Sequence, residues 1–167
     1  TRLPDHLVSL TQNGIKQALD AGIWLKKYCD KNDISLANAR IWRSPYLRTR
    51  QTSNEFNKSL NITDIREDIT LVEQQFGLFD CVPEEQQEVL FPNEYAEYSR
   101  QCNNQGKFYA RLPLGESPFD VAVRVHQFMG SIHRDYRRHR IDTLFIFTHG
   151  TTIREIAGKV DKGYINK

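Results

Sequence analysis

Cysteine is scarce and scattered. Cys29, Cys81 and Cys102 are the three in 167 residues, and none forms a Cys-x-x-Cys pair. That excludes a disulfide framework and a zinc site. It points to a reducing compartment, so a cytoplasmic location is expected. Long apolar runs are absent too. Nothing approaches the roughly 20 residues a membrane span needs, and no signal peptide stands at the start given. No membrane partner is expected. Charge of one sign is also lacking: the net charge of +2 is too small to argue for nucleic acid. The basic stretch Arg134-Asp135-Tyr136-Arg137-Arg138-His139-Arg140 reads instead as the solvated end of a helix, where cations complement the macrodipole. There is no glycine-rich phosphate loop to suggest a nucleotide-plus-magnesium site. Neither a metal nor a cofactor is expected. No repeat, low-complexity tract or linker divides the chain, so residues 1–167 read as a single domain with a real core.

What is present centres on Phe145-Ile146-Phe147-Thr148-His149-Gly150-Thr151-Thr152. The apolar run from Leu144 to Phe147 reads as a strand buried on both faces. Ile153, Ile156 and Ala157 then follow helical spacing. His149 therefore falls at the carboxyl end of a strand, just before a helix N-terminus. In open α/β sheets that edge binds ligands, and a helix N-terminus presents free N–H groups to an anion.

The remaining chain alternates in the same way. Thr1 to Leu10 is polar and reads as a loop. Thr11 caps a helix whose apolar positions are Ile15, Ala18, Leu19, Gly22, Leu25 and Cys29, and Asp30-Lys31-Asn32-Asp33 ends it. Ala37–Trp42 suits a strand. Ser44-Pro45 predicts an N-cap and first helical position, with a helix through about Phe56 or Leu60. Asp68–Val72 is a plausible strand. Residues 78–116 carry Pro83, Pro92 and Pro113 and read as an irregular insertion over one end of the sheet, with short helices at Glu84–Leu90 and Asn93–Asn103 and a turn at Asn103–Gly106. Ser117-Pro118 repeats the cap signal. Phe119, Ala122, Val125, Met129, Ile132 and Tyr136 mark the face of the next helix, with His126 and His133 on or near it, packed or partly exposed. The expected fold class is α/β, a three-layer α/β/α sandwich with a mostly parallel central sheet.

Three polar residues occupy equivalent places after these strands. Arg48 lies in the first turns of a helix, Glu73 follows another strand end, and His149 follows a third. With parallel strands they would gather at one sheet edge. Arginine offers a planar fork suited to phosphate. A carboxyl group serves as a general acid, and a histidine as nucleophile, base or stabilising cation. Together they suit phosphoryl transfer without a metal.

The same residues resemble a family. Ser44-Pro45-Tyr46-Leu47-Arg48-Thr49-Arg50-Gln51-Thr52 is similar to the Ser-Pro-x-x-Arg-x-x-Gln-Thr segment of the histidine phosphatase superfamily, in its phosphoglycerate mutase-like branch. Leu71-Val72-Glu73-Gln74-Gln75-Phe76-Gly77 resembles its Leu-x-Glu-x-x-x-Gly segment. Gly115-Glu116-Ser117 resembles its Gly-Glu-Ser segment. Phe147 to Arg154 resembles its final histidine motif, and Asp5 to Gly22 its early loop and helix. The segments occur in the family's order and span most of the chain.

The resemblance implies that a first histidine takes the phosphoryl group as phosphohistidine. It also implies that a second histidine and two arginines hold the phosphate oxygens, while a carboxylic acid protonates the leaving group. By motif match His149 is the second histidine, Arg48 one arginine and Glu73 the acid. The backbone of Gly150 and Thr151 would add N–H donors, and Arg111 would reach the substrate. The implied partner is a phosphorylated small molecule or phosphoprotein. The family's first strand carries Arg-His-Gly, which does not occur in this sequence, and His6 does not fit it. An upstream segment bearing that motif, in mid-sheet, is therefore expected. Residues 158–167 are polar where the family continues with an apolar helix and a strand, as in a truncation, a joined gap or a divergent tail. Three functions follow: a metal-independent phosphomonoester hydrolase, a phosphoglycerate mutase-type phosphotransferase, and a non-catalytic phosphate-binding or regulatory domain. The short insertion favours the hydrolase.

Overall fold

Thr11 ends the polar opening segment, and its hydroxyl accepts the Gly14 N–H at 3.1 Å. This cap starts α1 (Gln12–Lys31), which buries Ala18, Gly22 and Cys29. Gly22 is the contact point with α2 (Leu47–Asn57): a Cβ there would fall 2.0 Å from the Phe56 carbonyl oxygen. Among the described residues three strands follow from the β-branched and aromatic runs: β1 (Ala39–Arg43), β2 (Ile65–Glu67) and β3 (Thr143–Phe147). They form a 3-stranded parallel sheet in the order β2-β1-β3. Ile41 stands beside Ile65 and Phe145, and Arg43 beside Glu67 and Phe147.

Alternation along the strands places helices on both faces. On one face Phe56 of α2 packs against Phe145 and Phe147, with ring centroids 5.4 and 5.2 Å apart. On the other, Trp42 meets Phe128 of α5 (Pro118–His139) edge to face at 5.6 Å. This is the expected α/β/α layering. The computed structural model describes residues 3–161, with backbone alone for 159–161. These residues divide into two compact units, one of residues 3–72 and 128–149, the other of residues 73–127 and 150–161. No helix among the described residues is long and apolar enough to cross a membrane.

Beside Trp42, Arg40 is fully buried in the first unit. Its Nε and Nη2 donate to Asp64 Oδ2 at 2.8 and 2.6 Å, and Nη1 pairs with Asp135 of α5. Burial pushes the Arg40 pKa down, but its bonds to Asp64 and Asp135 outweigh that and hold it above the ordinary value. Asp135 sits in the basic stretch read as a solvated helix end. It is instead the inward anchor of that stretch.

Several expectations need correction. The Asp68–Val72 strand does not form: β2 lies earlier, at Ile65–Glu67. Asp68 accepts the Thr70 N–H at 2.8 Å, which turns Ile69–Leu71 into one 3-10 turn. Glu73 thus follows that turn rather than a strand. Ser44 is not the cap of α2. The helix starts at Leu47 after Tyr46, because Ser44 continues the β1 ladder, donating its N–H to the Phe147 carbonyl at 2.9 Å. On α5 the buried residues are Val121, Val125, Phe128 and Met129, whereas Phe119 and Tyr136 are exposed, a shift of the face by part of a turn.

In the second unit α3 (Glu84–Leu90) forms as expected. The next helix, α4 (Pro92–Gln105), runs through the predicted turn and stops at Gly106, whose φ of 85° leaves helical space. Ser117 caps α5 as predicted, accepting the Asp120 N–H at 3.1 Å while its own N–H donates to Asp120 Oδ2 at 2.8 Å. The helix after β3, α6 (Gly150–Asp161), carries through Gly158 into the polar segment, and residues 162–167 lie outside the described residues.

Candidate active site

In the first unit, β1 and β3 end level with one another, since Arg43 pairs with Phe147. Ser44 and Thr148-His149 leave those ends side by side. His149 is 6% exposed, and Ser44 is fully buried. Nε2 of His149 and Oγ of Ser44 share a hydrogen bond at 2.9 Å. Thr148 Oγ1 donates to the Leu71 carbonyl at 2.6 Å, fixing the strand exit. Thr49 Oγ1 donates to the Ser44 and Tyr46 carbonyls at 2.9 and 2.7 Å, which fixes the turn into α2.

Tyr46 joins the two candidate residues of this unit. Its ring meets the His149 ring edge-on, with centroids 5.0 Å apart, and the guanidinium carbon of Arg48 lies 5.0 Å from its centroid. Arg48 and His149 therefore flank one aromatic ring at the carboxyl edge of the sheet. Arg48 is held by Asp5: Nη1 donates to the Asp5 carbonyl at 2.8 Å and to Oδ1 at 2.9 Å, and Nη2 to Oδ2 at 3.2 Å. Gln51 Oε1 accepts the Leu10 N–H at 2.7 Å, tying the same opening segment to α2.

In the second unit, Glu73 sits at the N-terminus of α6. Its Oε1 accepts the N–H of Gln74 at 2.9 Å and that of Thr151 at 3.3 Å, a favourable place for a carboxylate. A Cβ at Gly150 would make ordinary contact with Glu73 Oε2, at 3.7 Å. The Thr151 N–H, expected to face substrate, is thus engaged by Glu73. Behind Glu73 the chain is clasped to the Gly115-Glu116-Ser117 segment. Gln75 N–H donates to Glu116 Oε2 at 3.0 Å, Gln74 Nε2 to the Glu116 carbonyl at 2.9 Å, and Arg124 Nε to Glu116 Oε1 at 3.0 Å. The two glycines allow this closeness: an added Cβ would lie 2.0 Å from the Pro113 oxygen at Gly77 and 2.4 Å from the Gln75 oxygen at Gly115. Gly77 also has φ 59°, where only glycine is unstrained.

A cavity of about 380 Å3 opens beside Thr151 and Gln74, walled by Phe79, Tyr98, Lys107 and Arg154. Burial, then a bond with Cys102, pushes the Tyr98 hydroxyl up to about 12, so it stays a neutral donor. Arg111 does not line this cavity. Its Nη2 donates to Asp120 Oδ1 at 2.5 Å and its side chain is mostly exposed. The first unit thus brings Arg48 and His149 together, the second Glu73, Gly150 and Thr151. Sequence reasoning missed Asp5, Tyr46 and the Ser44–His149 bond. All three lie inside the motif-bearing segments, yet none shows a spacing that reveals its partner. No group of His, Cys, Asp and Glu that would hold a metal occurs among the described residues.

The strand-end histidine, the arginine after Ser-Pro, Glu73 and the Gly-Glu-Ser segment all lie in the segments that carry the resemblance. The family model described as histidine phosphatase superfamily (branch 1) matches residues 5–164, and the chain belongs to that superfamily. It is 33% identical over 166 residues to the phosphoglycerate mutase-like protein AT74 of Arabidopsis thaliana, covering 92% of this chain and 49% of that one. It is 34% identical to AT74H of the same plant, covering 90% and 55%. The chain thus spans about half the length of the curated relatives it matches. Among solved structures, its fold is similar to that of a mycobacterial glucosyl-3-phosphoglycerate phosphatase with inorganic phosphate. There the TM-score is 0.70 at 18% identity, covering 96% of this chain and 73% of that chain. It is similar as well to the α-ribazole phosphatase of Shigella flexneri, with TM-score 0.66 at 18% identity, covering 88% and 67%.

Proposed function

We propose that the protein is a phosphomonoester hydrolase working through a phosphohistidine intermediate, without a metal, in the cytoplasm. The observation that carries this reading is the contact of both Arg48 and His149 with the Tyr46 ring, beyond the ends of the adjacent parallel strands β1 and β3. A permanent cation and an imidazole held in that way suit the oxygens of a phosphoryl group. His149 has the supporting role, stabilising charge on the phosphoryl group in transit. Glu73 exchanges a proton with the leaving-group oxygen and then with water. The substrate in this reading is a phosphorylated small molecule or phosphoprotein.

Rapid-quench labelling of the full natural chain with a phosphorylated substrate tests the reading. The expected result is acid-labile, base-stable label on a histidine, with activity that survives EDTA. Turnover without such label, together with a His149→Ala variant of normal rate, would overturn it. Arg48→Ala is expected to remove roughly 3 kcal/mol or more of transition-state stabilisation, read as a fall in kcat/KM. Two competing readings predict other outcomes. The name of the curated relatives brings in a phosphoglycerate mutase-type transfer, which the same assay would show as label returned to substrate. A non-catalytic phosphate-binding domain would instead bind phosphate with no turnover.

A further inference from the structure

We propose that Asp5 is a positioning residue for Arg48, an inference that rests on the phosphate role given to Arg48 above. A guanidinium has two edges that each present a pair of N–H donors. Asp5 takes the end edge, with Oδ1 on Nη1 and Oδ2 on Nη2, and its carbonyl takes the other Nη1 hydrogen. Among the described residues, no bond is made by Nε–H or the second Nη2 hydrogen of Arg48. Those two groups form the side edge, which is itself a fork for two phosphoryl oxygens. Phosphate thus engages Arg48 while Asp5 stays in place.

The clamp is fixed from three directions. Asp5 holds the end of the guanidinium, Tyr46 lies against its face, and the Leu10–Gln51 bond ties the Asp5 segment to α2. A long, flexible side chain is therefore ordered before substrate arrives, and the same ring that supports it also touches His149. An opposing effect exists: the Asp5 carboxylate repels an arriving dianion. In a fork already oriented by Asp5, loss of orientation outweighs that repulsion, because both phosphoryl oxygens depend on the fork's angle.

The test compares Asp5→Asn, Asp5→Ala and Asp5→Glu in the full natural chain. The readouts are calorimetric binding of inorganic phosphate, its inhibition of p-nitrophenyl phosphate hydrolysis, and thermal melting. Asp5→Ala is expected to weaken phosphate binding and raise KM by about tenfold, with Asp5→Asn less affected and Asp5→Glu partly restored. In an Arg48→Ala background, Asp5→Ala should have no further effect on phosphate binding, which a merely structural role would not produce. Unchanged or tighter phosphate binding in Asp5→Asn or Asp5→Ala would overturn the proposal and make Asp5 a competitor of phosphate. Arg48→Ala separates the two levels. If it leaves phosphate binding intact, the reading of Arg48 has failed; if it abolishes binding while the Asp5 variants do not weaken it, only the positioning role has.

Discussion

Single hydroxyls decide the geometry at the strand ends. Ser44 is fully buried and bonded to Nε2 of a nearly buried His149, so the ring has a set orientation at the sheet edge. Removing that hydroxyl leaves a ring nitrogen without this partner in a dry place. Ser44→Ala is therefore expected to destabilise the fold by about 1–3 kcal/mol in urea titration and to lower kcat more than it raises KM. An unaltered midpoint and kcat would show that the bond is not maintained in solution. Thr49 acts on the backbone instead, through the Ser44 and Tyr46 carbonyls. Its replacement by valine keeps the shape and removes the donor, and about 1 kcal/mol of lost stability is expected from the same titration.

At the level of elements, glycines set how closely backbones meet. Gly22 lets α1 lie on the end of α2, where a Cβ would fall 2.0 Å from the Phe56 oxygen. The carbonyl belongs to a helix and has little room to yield. Gly22→Ala should cost about 1–3 kcal/mol, read as a lower denaturation midpoint with an unchanged denaturant slope. Gly115 does the same for the clasp between the Glu73–Gly77 and Gly115–Ser117 segments. There the expected consequence is functional as well as structural, because the clasp holds the chain that carries Glu73. Gly115→Ala should lower kcat along with stability, whereas Gly158→Ala, with open space around it, should leave kcat near normal. Equal kcat in both variants would detach the clasp from the chemistry.

For the molecule as a whole, acid should unfold the protein by protonating paired carboxylates. At Asp64 burial raises the pKa, but bonds from Arg40 and then Arg66 carry it below the ordinary carboxylate range. At Glu67 the leading cause is the bond from Arg50, followed by the opposing effect of burial and the bond from Arg43, and the pKa is again lowered. A depressed carboxylate contributes stability that is complete above its unfolded pKa of about 4 and is lost as pH falls through its folded value. Melting temperature should thus be flat from neutrality to about pH 5 and fall below about pH 4. Asp64→Asn should flatten that fall while lowering stability at pH 7, because it leaves the fully buried Arg40 with Asp135 as its remaining carboxylate. A pH dependence identical to that of the parent would remove the Arg40 cluster from the account.

The order of motifs was legible because each is a local event. Thr11 and Ser117 announce helix starts through side chains that bond within a turn, and the run before His149 forms a strand, although each of its residues is only partly buried rather than buried on both faces. The α/β class and the position of His149 after a strand followed from that local grammar, while the family was implied by the resemblance of the ordered motifs. What sequence could not supply were partners distant along the chain. Asp5 reaches Arg48 across 43 residues, Ser44 meets His149 across 105, and Asp135 turns inward to Arg40 from a stretch that reads as solvated. The Asp68 turn, a local side-chain bond to the Thr70 N–H, displaced a strand, and the β1 ladder carried through Ser44 displaced a cap, because the backbone bond to Phe147 outweighed local propensity. Sequence alone determined which groups the protein carries and in what order. Tertiary structure decided which groups touch, since long-range pairing depends on register and packing that no local spacing encodes.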